Sequence, residues 1–308
     1  VSGDVNLTFA MNVGDQAAAC NKQYPGLGTG KTGITFNDLR FFVSNVKLIN
    51  DKGTAVPLEL TQDGAWQYKN VALLDFEDGS GGCSESGTTQ MNNAVKGKVP
   101  AGRYTAVTFD LGVPFELNHA DAASAPSPLN VKAMWWSWQG GYKFVRVDMK
   151  TDTPMGGGMP GMGGAAATPT PAMAMPSAAA SAAPAAGGHG GGSMMNPTVW
   201  LLHLGSTDCV SADAAKSPAA ECGKPNRPTV RLDNFTPGQS TIVADLAALL
   251  QPVPLNENTL MPPGCMSGAD DPDCTPLFPS FGLDLGSGKC PDGSCGGQRF
   301  FRLGQGKK

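Results

Sequence analysis

The sequence predicts an all-β fold: an antiparallel sandwich- or barrel-like domain with long loops, little helix and a framework of disulfides. Three observations predict it. Short segments alternate apolar and polar residues with period two, which places one set of side chains on each face of a strand. Turn formers separate those segments, with 41 Gly and 25 Pro in 308 residues. The eight cysteines are even in number and lie mostly among turn residues, as in Gly82-Cys83-Ser84 and Gly264-Cys265-Met266.

The opening strand sets Val5, Leu7, Phe9 and Met11 on one face and Asn6, Thr8 and Ala10 on the other. The stretch 39–48 alternates and then slips phase near Ser44-Asn45, which predicts a β-bulge. Further strands are expected at 55–60, 71–76, 103–111, 142–149, 197–204 and 228–234. The one good helix candidate is Asp245–Leu250, where the Asp245 carboxylate can cap the first turn. These elements divide the chain into a single β domain over 1–153 and 197–251, interrupted by an insertion at 154–196. A disulfide-rich C-terminal extension over 252–308 packs on that domain.

The insertion is almost wholly Gly, Ala, Pro, Ser and Met and carries no charge. Such a segment cannot bury enough apolar surface to offset its ordering entropy, so flexibility is expected. Its methionines, Met155, Met159, Met162, Met173 and Met175, with Met194 and Met195, offer thioether sulfur, a soft donor suited to Cu(I). Auxiliary copper capture and low-complexity drift are the two readings of that pattern.

Lys+Arg (22) and Asp+Glu (26) nearly balance, and no long basic run appears, so a nucleic-acid partner is not expected. No apolar run approaches membrane-spanning length, so no membrane insertion is expected. The chain starts at Val1 without a charged-plus-apolar leader, as after removal of a signal peptide. Cys20, Cys83, Cys209, Cys222, Cys265, Cys274, Cys290 and Cys295 then read as disulfides of a periplasmic or secreted protein. Zinc is the competing use of cysteine, but no Cys-x2-Cys pair or His-rich partner segment accompanies them. Spacing alone leaves the connectivity open among on the order of a hundred schemes. Near-neighbour pairing is the expectation: Cys20 with Cys83, Cys209 with Cys222, Cys265 with Cys274, and Cys290 with Cys295. A loop of the Cys209–Cys222 size contributes about 3 kcal/mol in the chain-entropy account.

Two features carry chemistry. Of three histidines, His189 falls in the insertion, while His119 and His203 lie in structured surroundings. Each reads either as a buried, hydrogen-bonded imidazole or as a metal ligand. The segment Met134-Trp135-Trp136-Ser137-Trp138-Gln139-Gly140-Gly141 holds three of the five tryptophans. In an extended strand Trp136 and Trp138 share a face roughly 6.6 Å apart, with Trp135 opposite. Core packing, an oxidisable pair and a carbohydrate-stacking platform are the three uses of such a cluster. No nucleophile elbow, phosphate loop, dinucleotide fingerprint or His-Glu-x-x-His is present.

The stretch Asn37-Asp38-Leu39-Arg40-Phe41-Phe42-Val43-Ser44-Asn45-Val46-Lys47-Leu48 resembles a signature of the MbnP-like, or metallo-mystery-pair four-Cys-motif, proteins. So do Trp136 through Phe144, His203-Leu204-Gly205-Ser206 with Cys209, and Asn226-Arg227-Pro228. The match runs in order over most of the chain outside the insertion. The resemblance implies a bacterial periplasmic protein, not itself an enzyme, that binds copper and is paired with a MauG-like di-haem cytochrome c peroxidase. It implies that His119 and His203 ligate copper and that Trp138 or Trp136 is oxidised to kynurenine by that partner. Two departures stand out: eight cysteines rather than four, and the Met-rich insertion. The alternative is a secreted carbohydrate- or surface-binding β module with a Trp platform.

Overall fold

The computed structural model describes residues 2–156 and 198–304, and it is built almost wholly of strands, with two short α-helices among the described residues. The insertion methionines Met159, Met162, Met173 and Met175 lie outside the described residues. A 10-stranded sheet centres on the long strand Thr32–Asn50. That strand pairs along one edge with Tyr104–Leu111 and Val145–Thr151, and along the other with Val71–Asp75. Val145–Thr151 continues to Val199–Leu204, so the insertion joins two paired neighbours. A 6-stranded sheet is built on Ser2–Val13. The core forms where Phe9 of this sheet meets Phe41 (6.1 Å) and Phe109 (5.7 Å) of the larger one. Aromatic pairs at these separations combine large apolar burial with favourable edge-to-face geometry.

Several local expectations hold. Leu7, Phe9 and Met11 are buried on one face of the opening strand. Asn45 takes φ +52° at a register shift opposite Thr108–Asp110, which is the bulge expected at Ser44-Asn45. Asp245 caps the helix Leu246–Leu250 by accepting from the backbone N–H groups of Ala247 and Ala248. All four near-neighbour disulfides are present.

Three expectations need correction. The sheets are mixed rather than purely antiparallel: Thr8–Asn12 pairs parallel with Thr241–Asp245, and Leu201–Leu202 with Gly264–Cys265. The disulfide-rich C-terminal extension packs more deeply than a surface layer. Phe278, Phe281, Phe300 and Phe301 are buried in the common core, and Phe301–Leu303 adds a strand beside Thr241–Asp245. The fold also reaches further into the expected insertion than composition indicates. Met155 is 1% exposed within the core, and Gly156 bridges Glu257, so that thioether packs instead of waiting in a loop.

One face of the larger sheet carries buried charge instead of hydrocarbon. Cross-strand register aligns His203, Arg146, Arg40 and Asp75 in a single rung, with Asp148 opposite Asp38 one pleat away. Arg40 grips Asp38 with two nitrogens and approaches Glu77 at 3.8 Å. Arg146 spans Asp38 (3.2 Å) and Asp148 (2.7 Å). The Glu77 carboxylate in turn accepts from the backbone N–H groups of Gly79 and Thr88. Burial pushes the Asp75 carboxyl up to about 8, against the pull of Arg40, so it is protonated at neutral pH. Removing one partner of such a buried set strands charge in a low-dielectric interior. Arg40→Ala is therefore expected to cost about 3–5 kcal/mol. Arg231→Ala, whose partner Asp233 is as exposed as itself, should cost about 0–1 kcal/mol. Urea midpoints that shift equally for the two would refute the difference.

Candidate metal centre

The aromatic segment forms a short hairpin rather than one extended strand. Trp135–Ser137 pairs with Gly141–Tyr142 and the chain turns through 138–140. Gly141 (φ +74°) leads the chain out of the turn, and a Cβ there would stand 2.6 Å from the Asn118 carbonyl oxygen. The expected bend at Gly140-Gly141 is therefore present, but the expected Trp136/Trp138 face is not. Because the strand ends before Trp138, the turn carries that ring back against Trp135 in an edge-to-face pair, 6.4 Å apart and 78° inclined. Trp136 instead lies over Gly205, where a Cβ would be 2.4 Å from its ring, and beside His203 with centroids 6.4 Å apart. All three indoles are half-buried, and the perpendicular Trp135–Trp138 pair is not a flat stacking surface.

His203 sits on the strand Val199–Leu204, 6% exposed, with Nε2 at 2.7 Å from Asp148 Oδ1. Burial lowers its pKa despite that carboxylate, so the ring is neutral and Nε2–H donates. Burial opposes ionisation of Asp148 too, but hydrogen bonds from His203 and Arg146 hold its carboxyl down at about 2. Nδ1 of His203 is then a bare lone pair, buried and without a partner. A carboxylate holding one imidazole nitrogen while the other is free is the arrangement that orients metal-ligating histidines.

His119 follows the short helix Phe115–Asn118 and packs against Phe115. Its Nδ1 is 3.0 Å from the Trp138 carbonyl oxygen, so Nδ1–H donates and Nε2 holds the lone pair, which the Asn118 amide N–H approaches at 3.4 Å. Burial lowers this pKa as well, outweighing that carbonyl. Nε2 faces Cys222 Sγ at 3.6 Å, and His119, Cys209 and Cys222 place their ligand atoms within 4.8 Å of one another. The two sulfurs are joined in a disulfide, and a cystine is a far poorer metal ligand than a thiolate. His203 is not a member of that group; the hairpin touches both histidines, through the Trp138 carbonyl on one side and the Trp136 ring on the other. Asn118 knits the two regions, accepting from Tyr142 N–H (2.9 Å) and reaching Ser206 Oγ (3.5 Å).

Sequence reasoning singled out the histidines and tryptophans but missed Asp148, Arg146 and Asn118. A signal for the first two was present: Arg146 and Asp148 share one face of a strand whose other face is Val145, Val147 and Met149. Charges at i and i+2 in a strand with a fully apolar opposite face indicate a buried ion pair or a site.

Comparison with known proteins supplies context. The profile of the MbnP family matches residues 2–267. In solved structures, MbnP from Methylosinus trichosporium superposes with a TM-score of 0.76 at 26% identity, covering 99% of each chain. Among curated proteins none matches the chain significantly.

The protonation states set a pH dependence. The folded pKa of His203 lies below its unfolded value of about 6.5, so the unfolded chain takes up the proton first. Stability is then full above about pH 6.5 and falls as pH drops below it, and His119 adds a slope of the same sign. Asp148 adds a further loss between about pH 4 and about pH 2. His203→Gln should flatten the stability profile just below pH 6.5, measured by urea unfolding. An unchanged slope there would show that the fold does not lower the His203 pKa.

Proposed function

The chain belongs to the MbnP family, and on that premise we propose that it is a periplasmic copper-binding protein whose tryptophan is oxidised by a partner enzyme. The observation that carries the copper reading is the pair of neutral imidazoles flanking one hairpin. Each is held through one nitrogen, His119 on the Trp138 carbonyl and His203 on Asp148; the other nitrogen of His203 has no partner, and that of His119 has only a long 3.4 Å contact from the Asn118 amide. The buried, unpartnered Nδ1 of His203 fits a metal, because such an atom otherwise forfeits a hydrogen bond. Imidazole nitrogen suits copper in either common oxidation state. Copper in this reading is cargo, and the protein performs no reaction of its own on it.

The partner would be a MauG-like di-haem cytochrome c peroxidase, which supplies the oxidising equivalents that convert Trp138 or Trp136 to kynurenine. The hairpin favours Trp138 because its own carbonyl orients His119. A kynurenine offers an aryl amine and a ketone where the indole nitrogen binds metal poorly, so oxidation would add a donor beside an existing imidazole. Four disulfides agree with an oxidising compartment. The auxiliary role of Met159, Met162, Met173 and Met175 belongs to the same proposal.

His203→Ala is expected to weaken copper binding by tenfold or more, of the order seen when metal ligands or their supporting partners are lost. Asp148→Asn, which releases the imidazole from its carboxylate, should weaken it by roughly 10–100-fold. The measurement is a copper titration against a chromophoric chelator, with circular dichroism confirming that each variant is folded. Unchanged affinity in a folded His203→Ala, His119→Ala double variant removes the histidines from the site. Mass analysis of the 135–143 peptide after incubation with the haem partner and peroxide tests the oxidation, which fails if every indole survives.

A further inference from the structure

The disulfide that closes the loop over His119 has the geometry of a metal site that is missing only two electrons. Nε2 of His119 lies 3.6 Å from Cys222 Sγ; with Nδ1–H committed to the Trp138 carbonyl it carries the lone pair, which otherwise meets only a long 3.4 Å contact from the Asn118 side-chain amide. Two ligands on one tetrahedral or trigonal ion, with nitrogen at ~2.0 Å and sulfur at ~2.3 Å, stand roughly 3.5 Å apart. The His119–Cys222 spacing already has that value. Cys209 Sγ is held close only by its bond to Cys222, at 2.07 Å, across a Cα–Cα span of 4.1 Å. Once that bond is broken, a side-chain rotation of either cysteine opens the sulfurs to the roughly 3.7 Å that two thiolates on one ion require.

The charge beside the cysteines is paired: Glu221 accepts from the Cys222 N–H (3.0 Å) and binds Arg227 (3.0 Å). The bond is accessible: Cys209 is half-exposed next to Val210, which is 82% exposed. Cys20–Cys83 and Cys265–Cys274 are buried at both ends, which leaves Cys290–Cys295 as the other disulfide with a half-exposed cysteine. The loop between Cys209 and Cys222 rests on the site, with Ser217 Oγ donating to the His119 carbonyl (2.8 Å) and the Ala214 carbonyl accepting from Gln139 N–H.

We propose that Cys209, Cys222 and His119 form a thiol-gated second metal site: closed to metal as a disulfide, and a two-thiolate, one-imidazole site for Cu(I) when reduced. The reductant is a dithiol. Its two S–H bonds break, its sulfurs join as a disulfide, and its two electrons and two protons convert Cys209–Cys222 into two thiols. Binding of Cu(I) then displaces both thiol protons to water. Thiolate sulfur and a low coordination number select Cu(I) over harder divalent ions. This deepens the copper reading and shares His119 with it, but does not depend on His203.

The test uses the full chain with Cys290→Ser and Cys295→Ser, so that Cys209–Cys222 is the accessible disulfide. It is reduced anaerobically with a mild dithiol, its free thiols are mapped by alkylation and mass analysis, and it is titrated with Cu(I) against a chromophoric chelator. Reduction should raise Cu(I) affinity by on the order of a hundredfold or more and bring in thiolate-to-copper ultraviolet absorption, as expected for soft thiolate ligands. Cys222→Ser, or alkylation of the reduced protein, should abolish both gains, while His203→Ala should leave them. His119→Gln should weaken the reduced site by roughly tenfold. A protein with free thiols at 209 and 222 that binds Cu(I) no tighter than the oxidised form overturns the proposal, as does a gain that survives Cys222→Ser. Copper bound by the oxidised protein and lost in His203→Ala reports on the imidazole reading alone, so the two fail separately.

Discussion

A guanidinium with no exposure to water must be answered by carboxylates, and Arg40 sets that requirement at the middle of the longest strand. Its partners Asp38 and Glu77, then Arg146 and Asp148, extend the ion pairing across the sheet until it reaches His203. Each member is costly alone and tolerable only with the next in place, because desolvation is repaid by close, hydrogen-bonded opposite charge. A one-residue slip of any strand would turn these side chains to the opposite face and leave them unpaired. The ribbon thus reinforces the register of the sheet as well as the charge state of its terminal imidazole.

The same ribbon supports the aromatic hairpin. Arg146 donates to the Ala133 carbonyl, as does Lys143, whose ammonium burial pulls down to about 8. Ala133 lies just ahead of Trp135, so the base of the hairpin is tied to the charged face while Trp136 caps Gly205 and His203. The disulfide loop covers the other side, touching Gln139 and His119. Two imidazoles end up neutral by the same physical cause, burial, yet with the lone pair on opposite nitrogens: Nδ1 in His203, without a partner, and Nε2 in His119, which meets the Asn118 amide at 3.4 Å. Neutral imidazole with its tautomer fixed by a second hydrogen bond is the state a metal requires of histidine.

Membership of the MbnP family makes it informative that the family profile ends at residue 267. The remaining chain brings three of the eight cysteines and four buried phenylalanines that close the core against Phe9, Phe41 and Phe109. A segment that reads in sequence as cysteine-held and turn-rich is thus part of the hydrophobic core. Spacing of phenylalanines among Gly and Pro carries no periodicity, so nothing local announces which of them will be buried.

Period-two alternation located most of the central strands, because the pleat forces side chains to alternate faces, but it missed Ala94–Pro100 and Thr241–Asp245 and joined Gly141–Tyr142 to Val145–Thr151. It located the bulge at Asn45 by a phase slip, and the Asp245 cap by a carboxylate just before an apolar run. Cysteine spacing suggested the pairings that formed, since short loops close at small entropic cost. The histidines and tryptophans stood out by rarity and clustering. Only tertiary structure decided the rest. Whether Trp138 joins Trp136 or Trp135 depends on where the hairpin turns, and Gly141 settles that against Asn118. Asp148 meets His203 because two strands separated by the insertion lie side by side. His119 meets Cys222 across 103 residues for the same kind of reason. Local patterns encode backbone conformation, whereas a site is a set of long-range contacts, and those are fixed by packing and register.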